Sequence, residues 1–184
     1  MKKVIFAFTM ILMSFNLLTA QDKIFTKTGT INFDASGEME TIAAINKKAT
    51  CVVDTKTGAM EFAVLMKAFT FAKALMEEHF NENYVESDTY PKSTFKGKID
   101  NLSDIKFATD GTYSANISGD ITIHGVTKAT TAKGTFTVKG GKVTGTSNFK
   151  VLLSDYKISI PSVVAANISK EATITVDVSL DPLN

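Results

Sequence analysis

Residues 76–87 read MEEHFNENYVES. His79 stands there among Glu77, Glu78, Asn81, Glu82 and Asn83, and it is one of two histidines in the 184-residue chain. A cluster of this kind suits metal ligation, general acid–base work or the bonding of backbone groups. A zinc-binding helix places two histidines four residues apart with a glutamate between them. Here the second histidine, His124, lies far along the chain in IHGVT. A Ser-His-Asp site needs an exposed nucleophile, and no G-x-S-x-G elbow occurs. The single cysteine, Cys51, sits in ATCVVD among strand formers, with no base beside it in sequence to make a thiolate. It reads as a small buried hydrophobe. These residue types favour a structural role, with His79 and Asn83 bonding backbone or neighbouring strands. No catalytic residue, metal or cofactor is expected. The rival reading is a hydrolase or metal-dependent enzyme centred on His79 and His124.

KALMEEHF is helix-compatible, giving a short helical segment at about 72–80. Leu75, Met76, His79 and Phe80 share one side of it. With Phe71 and Tyr84, that side can cover one end of a larger body, leaving Glu77, Glu78, Glu82 and Glu86 in water. The larger body is written in period two. In YSANISGDITIHG, Tyr113, Ala115, Ile117, Gly119, Ile121 and Ile123 fall on one face, and polar residues including His124 fall on the other. The same alternation marks MEFAVLM, FKGKI, VTGTSNFKVLL and ATITVDVSL, and more weakly GTINF, ATCVV and TAKGTFTV. DTKTG, TDG and KGG supply turns, the tight ones being hairpins. About eight antiparallel strands with one apolar face must stack as a sandwich or close as a barrel. An eight-stranded barrel is wide enough to be filled by its own side chains or to hold one slim ligand. The spacing leaves a filled core and a hollow one equally open.

The bulk numbers exclude several classes. Formal net charge is +1, so no strong field recommends nucleic acid. Every basic residue is lysine, which removes the bidentate guanidinium clamp for phosphate. Residues 1–20 carry Lys2 and Lys3, then the apolar run VIFAFTMILMSFNLL, then Ala20 at a cleavage point. They are expected to form a secretory signal peptide followed by one domain over 21–184, with a periplasmic or secreted location. Its removal leaves eighteen lysines against nineteen acidic residues.

FTFAKALMEEHFNENYVESDTYPKSTFKGKI, GDITIHGVTK and SDYKISIP occur in this order. Together they resemble the YceI-like family of secreted bacterial proteins, over roughly Thr28 to Val178. The resemblance implies an all-β fold, an eight-stranded antiparallel lipocalin-like β-barrel. It also implies that a polyisoprenoid or other long-chain amphiphile is held in an elongated apolar pore, without an assigned reaction. The pore lining expected from the apolar phase of each strand is Phe62, Val64, Met66, Phe95, Ile99, Tyr113, Ile117, Ile121, Ile123, Phe149, Val151 and Val176. Phe69, Phe71, Leu75, Met76 and Phe80 are the expected mouth. The expected partner is that lipid, with no nucleic acid and no stable membrane insertion once the signal is removed. A filled-core barrel acting through its surface is the remaining rival.

Overall fold

In the computed structural model, which describes residues 22–183, the alternating segments are strands of one sheet. They are β1 (Lys23–Ser36), β2 (Ala43–Asp54), β3 (Ala59–Leu65), β4 (Phe69–Phe71), β5 (Lys92–Ile99), β6 (Gly111–Ile123), β7 (Val126–Lys139), β8 (Lys142–Leu152) and β9 (Ile168–Pro182). The hydrogen-bonded order runs β1-β9-β8-β7-β6-β5-β3-β2, and β1 pairs β2 to close the ring. Every neighbouring pair is antiparallel. Closure leaves no long edge to be covered. The expected signal peptide, residues 1–20, lies outside the described residues.

The three-residue β4 was not foreseen. It continues the path of β3 after a single 3-10 turn at Met66–Ala68 and pairs the far half of β2, Ala44 to Phe71 and Asn46 to Phe69. Asn46 holds this interruption. Its side chain is fully buried; Nδ2 donates to the Leu65 carbonyl at 2.8 Å and Oδ1 accepts from the Lys48 amide at 2.8 Å. The first bond satisfies a carbonyl at the end of β3. The second satisfies an amide where β2 bulges against β1, between the pairs Gly29–Ala49 and Ile31–Asn46.

The connections differ from the sequence reading in two places. KGG is the tight β7–β8 turn, with Gly140 and Gly141 at φ 57° and 79°. TDG, however, only ends a longer β5–β6 connection that carries a 3-10 turn at Leu102–Asp104. The other two-residue turn, β6–β7, is made by His124 and Gly125 at φ 49° and 70°. His124 is therefore a turn residue and not part of a strand's polar face. At DTKTG, the Asp54 carboxylate accepts from the Lys56 and Thr57 amides, which holds its carboxyl below the usual carboxylate range.

The interior has two ends. A lower cluster joins Ile24, Val53, Met60, Ile99, Val138, Val143 and Leu180, with Ile105 and Phe107 from the β5–β6 connection folded in beneath. An upper cluster joins Ile31, Ala44, Met66, Phe69, Val151, Leu153 and Ile158. Over the upper end lies helix α1 (Ala74–His79), followed directly by one π-helical turn at Phe80–Tyr84.

Candidate ligand-binding site

Between the two clusters the barrel is hollow. A cavity of about 170 Å³ runs from Phe80 and Ile158 at the upper end to Met60 and Leu180 at the lower. Its exposed wall is almost wholly apolar. Two of its hydroxyls are hydrogen-bonded within the wall: Ser147 Oγ donates to the Lys133 carbonyl, and Ser93 Oγ to Met66 Sδ. An engineered cavity of about 150 Å³ with comparable walls stays dry and takes an apolar guest.

Phe62, Val64, Met66, Phe95, Ile117, Ile121, Ile123, Phe149, Val151 and Val176 line this cavity. Many of them are only half-buried although they face inward, because the space they face is unfilled. Ile99 and Tyr113 do not line it. Both point inward, but from the lower end, where Ile105, Leu102 and Phe107 fill the barrel against them. Tyr113 is also held aside, its hydroxyl donating to the Thr109 carbonyl at 2.9 Å. Gly97 and Gly119 face one another across β5 and β6, and the Phe95 ring lies over both. A Cβ on Gly97 or Gly119 would come within 2.4 or 2.8 Å of Phe95 Cζ. The glycine pair thus lets the ring lie against the wall and leaves the axis clear.

A second cavity of about 140 Å³ sits above the first. Met76, His79 and Tyr84 border it from the helix side, Glu40 and Ile42 from the β1–β2 loop, and Val164 and Asn167 from the β8–β9 connection. We call it the vestibule. Phe33, Phe80, Val85, Leu153 and Ile158 border both cavities and so form the partition between them. Phe80 is the centre of that partition, with ring centroids of Phe33, Phe69 and Phe71 at 5.6, 5.5 and 5.0 Å. The π-helical turn matters here. Its wide Val85-to-Phe80 bond, 2.9 Å from amide to carbonyl, delivers Phe80 and Val85 to the partition.

Of the expected mouth residues, Phe69 borders the inner cavity, Phe71 and Met76 the vestibule, and Phe80 both. Leu75 borders neither and is 59% exposed. It precedes Met76 by one helical step of about 100°, which carries it off the inward side of a helix only six residues long. The backbone bonding expected of His79 and Asn83 falls instead to Asn81, whose Nδ2 donates to the Glu77 carbonyl at 2.8 Å. Sequence reasoning also missed the vestibule's β1–β2 and β8–β9 walls, which carry no alternating signal.

His124 has a definite structural task. Its Nδ1–H donates to the Tyr156 carbonyl at 3.0 Å, and Nε2 lies 3.2 Å from Glu86 Oε1. Tyr90 packs edge-on against the ring at 4.6 Å. Glu86, His124 and Lys157 are the non-glycine residues with positive φ among the described residues, at 44°, 49° and 59°. Two of them touch, and the third follows Tyr156. The contacts hold three strained loops in one clasp. The clasp fixes Val85 and Tyr156, which both line the inner cavity. Among the described residues no three His, Cys, Asp or Glu side chains gather as metal ligands.

Cys51 also lies in the cavity wall. Burial pushes its thiol up to about 12. The protonated form is a weak nucleophile, so the group adds to the apolar wall.

Eight antiparallel strands closed around an apolar cavity, with helical and loop segments folded over one end, define a lipocalin-like barrel. The chain belongs to the YceI-like domain family, whose model matches residues 12–180. No curated protein matches the chain. Among solved structures, a polyisoprenoid binding domain from Saccharophagus degradans, implicated in plant cell wall breakdown, is similar at a TM-score of 0.76 and 11% identity, over 89% of this chain and 99% of that one. BcnA of Burkholderia cenocepacia is similar at 0.68 and 14% identity, over 83% and 96%. A YceI protein of Campylobacter jejuni is similar at 0.55 and 18%, over 73% and 81%. At these identities the likeness is one of fold.

Proposed function

We propose that this protein binds a single long-chain lipid, a polyisoprenoid or a chain of similar width, and carries or stores it outside the cytoplasm. The observation that carries this reading is the apolar cavity along the barrel axis, left open by inward residues that do not fill it. The mechanism is burial. Each Å² of apolar ligand surface removed from water contributes about 25 cal/mol, set against about 4–15 kcal/mol for association. A preformed cavity keeps the second figure low. Such binding follows chain width and length more than chain chemistry, and it needs no catalytic group. The binding domain of the Saccharophagus degradans structure supports the ligand class. The basic start, apolar run and Ala20 support export, with the mature chain beginning at Gln21.

The test is native mass spectrometry of the mature protein mixed with geranylgeraniol. A one-to-one adduct that survives dilution is expected. No adduct with this alcohol, or with longer prenyl alcohols, overturns the proposal. N-terminal sequencing of the exported protein checks the location, and a chain still starting at Met1 would remove that part of the reading.

A further inference from the structure

Exposed large hydrophobic side chains are distributed unevenly on this barrel. Met39, Leu65, Leu75, Leu152 and Val163 are 79%, 51%, 59%, 40% and 90% exposed. All five lie at the upper end, on the β1–β2 loop, the ends of β3 and β8, helix α1 and the β8–β9 connection. The lower turns present Lys56, Thr57, Ser103, Asp104, Lys139 and Lys142 instead. Single exposed hydrophobic residues are ordinary on any surface. Five at one end, and none at the other among the described residues, form a pattern.

Three of them surround the vestibule. Met39, Leu75 and Val163 come from the three segments whose neighbouring residues, Glu40, Met76 and Val164, border it. Those segments are tied together. The Gly37 amide donates to the Asn167 carbonyl at 3.0 Å, the Glu38 amide to the Ala166 carbonyl at 3.1 Å, and Lys73 Nζ to Glu40 Oε1 at 2.8 Å. The apolar tips therefore lie on one linked rim around the vestibule, with only the partition between the vestibule and the inner cavity.

We infer that this rim docks on the surface of a neutral lipid bilayer, with Met39, Leu75 and Val163 entering the interface, and that ligand passes between bilayer and vestibule. The inference rests on the reading of the cavity as a lipid site. The kind of bilayer follows from charge. Glu38, Glu40, Glu77, Glu78, Glu82 and Asp155 stand on the rim segments against Lys73 and Lys157. An anionic surface would be repelled, so attachment comes from apolar insertion and is little affected by salt. The same charges disfavour a second copy of the chain, because a twofold contact would press two acidic rims together.

The experiment is co-sedimentation of the mature protein with vesicles of phosphatidylcholine, alone or mixed with phosphatidylglycerol. Sedimentation velocity without lipid and the geranylgeraniol adduct are measured alongside. Wild type is expected to partition onto the neutral vesicles equally at low and high salt, and less onto the mixed ones. Met39→Ser, Leu75→Ser and Val163→Ser should each lower the partition coefficient by about threefold to tenfold, and the triple variant should abolish it while still forming the adduct. Triple-variant binding equal to wild type overturns the inference. So does wild-type binding confined to anionic vesicles, or self-association through these residues without vesicle binding. Vesicle binding without any adduct would instead overturn the cavity reading and leave the docking surface standing.

Discussion

Cys51 offers a direct probe of how dry the cavity wall is. Its thiol titrates at about 12 in the folded chain, against an ordinary value of 9.0, because burial disfavours the thiolate. The folded chain therefore holds this proton more tightly than the unfolded chain does. The stability this confers is whole below about pH 9. It falls as pH rises from about 9 towards 12, by up to about 1.4 kcal/mol per pH unit. Cys51→Ala should show a shallower loss across that window in urea unfolding, with the other titrating groups common to both proteins cancelling. Equal slopes would mean that water reaches the thiol. Phe80 is the other decisive side chain. Phe80→Ala removes the centre of the partition and should cost about 3–5 kcal/mol. It also merges the inner cavity with the vestibule, so a bound prenyl alcohol should leave faster than from wild type. Lost stability with an unchanged release rate would show that the ring only packs and does not close the cavity.

At the scale of elements, β6 allows the hollow barrel to be tested against a filled one. Ile117 lines the cavity, opposite Ile99 on β5 and Ala132 on β7, while its neighbour Asn116 is exposed. In a filled core, Ile117→Trp would cost about 1–3 kcal/mol through overpacking. Here the ring can enter space that a ligand would occupy. Little change in thermal midpoint with loss of prenyl alcohol retention is expected, and Asn116→Trp should change neither. A sharp fall in midpoint for Ile117→Trp, with loss of retention for Asn116→Trp, would mean the faces are reversed. The faces themselves were legible, because period two over the thirteen residues of β6 fixes which side chains share a side. Depth along the barrel was not. Ile99 and Tyr113 have the right phase but sit where the β5–β6 connection plugs the lower end, and alternation carries no information about height. Nor was β4 legible: three residues give no period, and their pairing depends on Asn46 reaching Leu65 from another strand. His124 was misplaced for a related reason. Its left-handed turn carries no Asn or Asp before Gly125, and the contacts that hold it come from Glu86 and Tyr156, distant in sequence.

At the scale of the whole molecule, the two ends divide the labour. The lower end is closed by interlocked apolar residues and a folded-in connection. The upper end is assembled from short pieces: a six-residue helix, a π-helical turn, two loops and the strained clasp around His124. A six-residue helix is too short to be stable alone, so these pieces depend on packing against Phe80 and its neighbours. Local opening should therefore be easiest there in the empty protein. A bound chain would fill the inner cavity against the partition and stabilise the folded state by mass action, about 2.7 kcal/mol at a hundredfold excess over Kd. Hydrogen exchange followed by mass spectrometry should show this gain unevenly. Added geranylgeraniol should slow exchange in residues 36–42, 74–90 and 153–168. The lower turns at 54–58 and 139–142 should exchange as before. Slowing spread evenly over the barrel would mean that the ligand tightens the whole sheet and that the upper end is not where the chain enters.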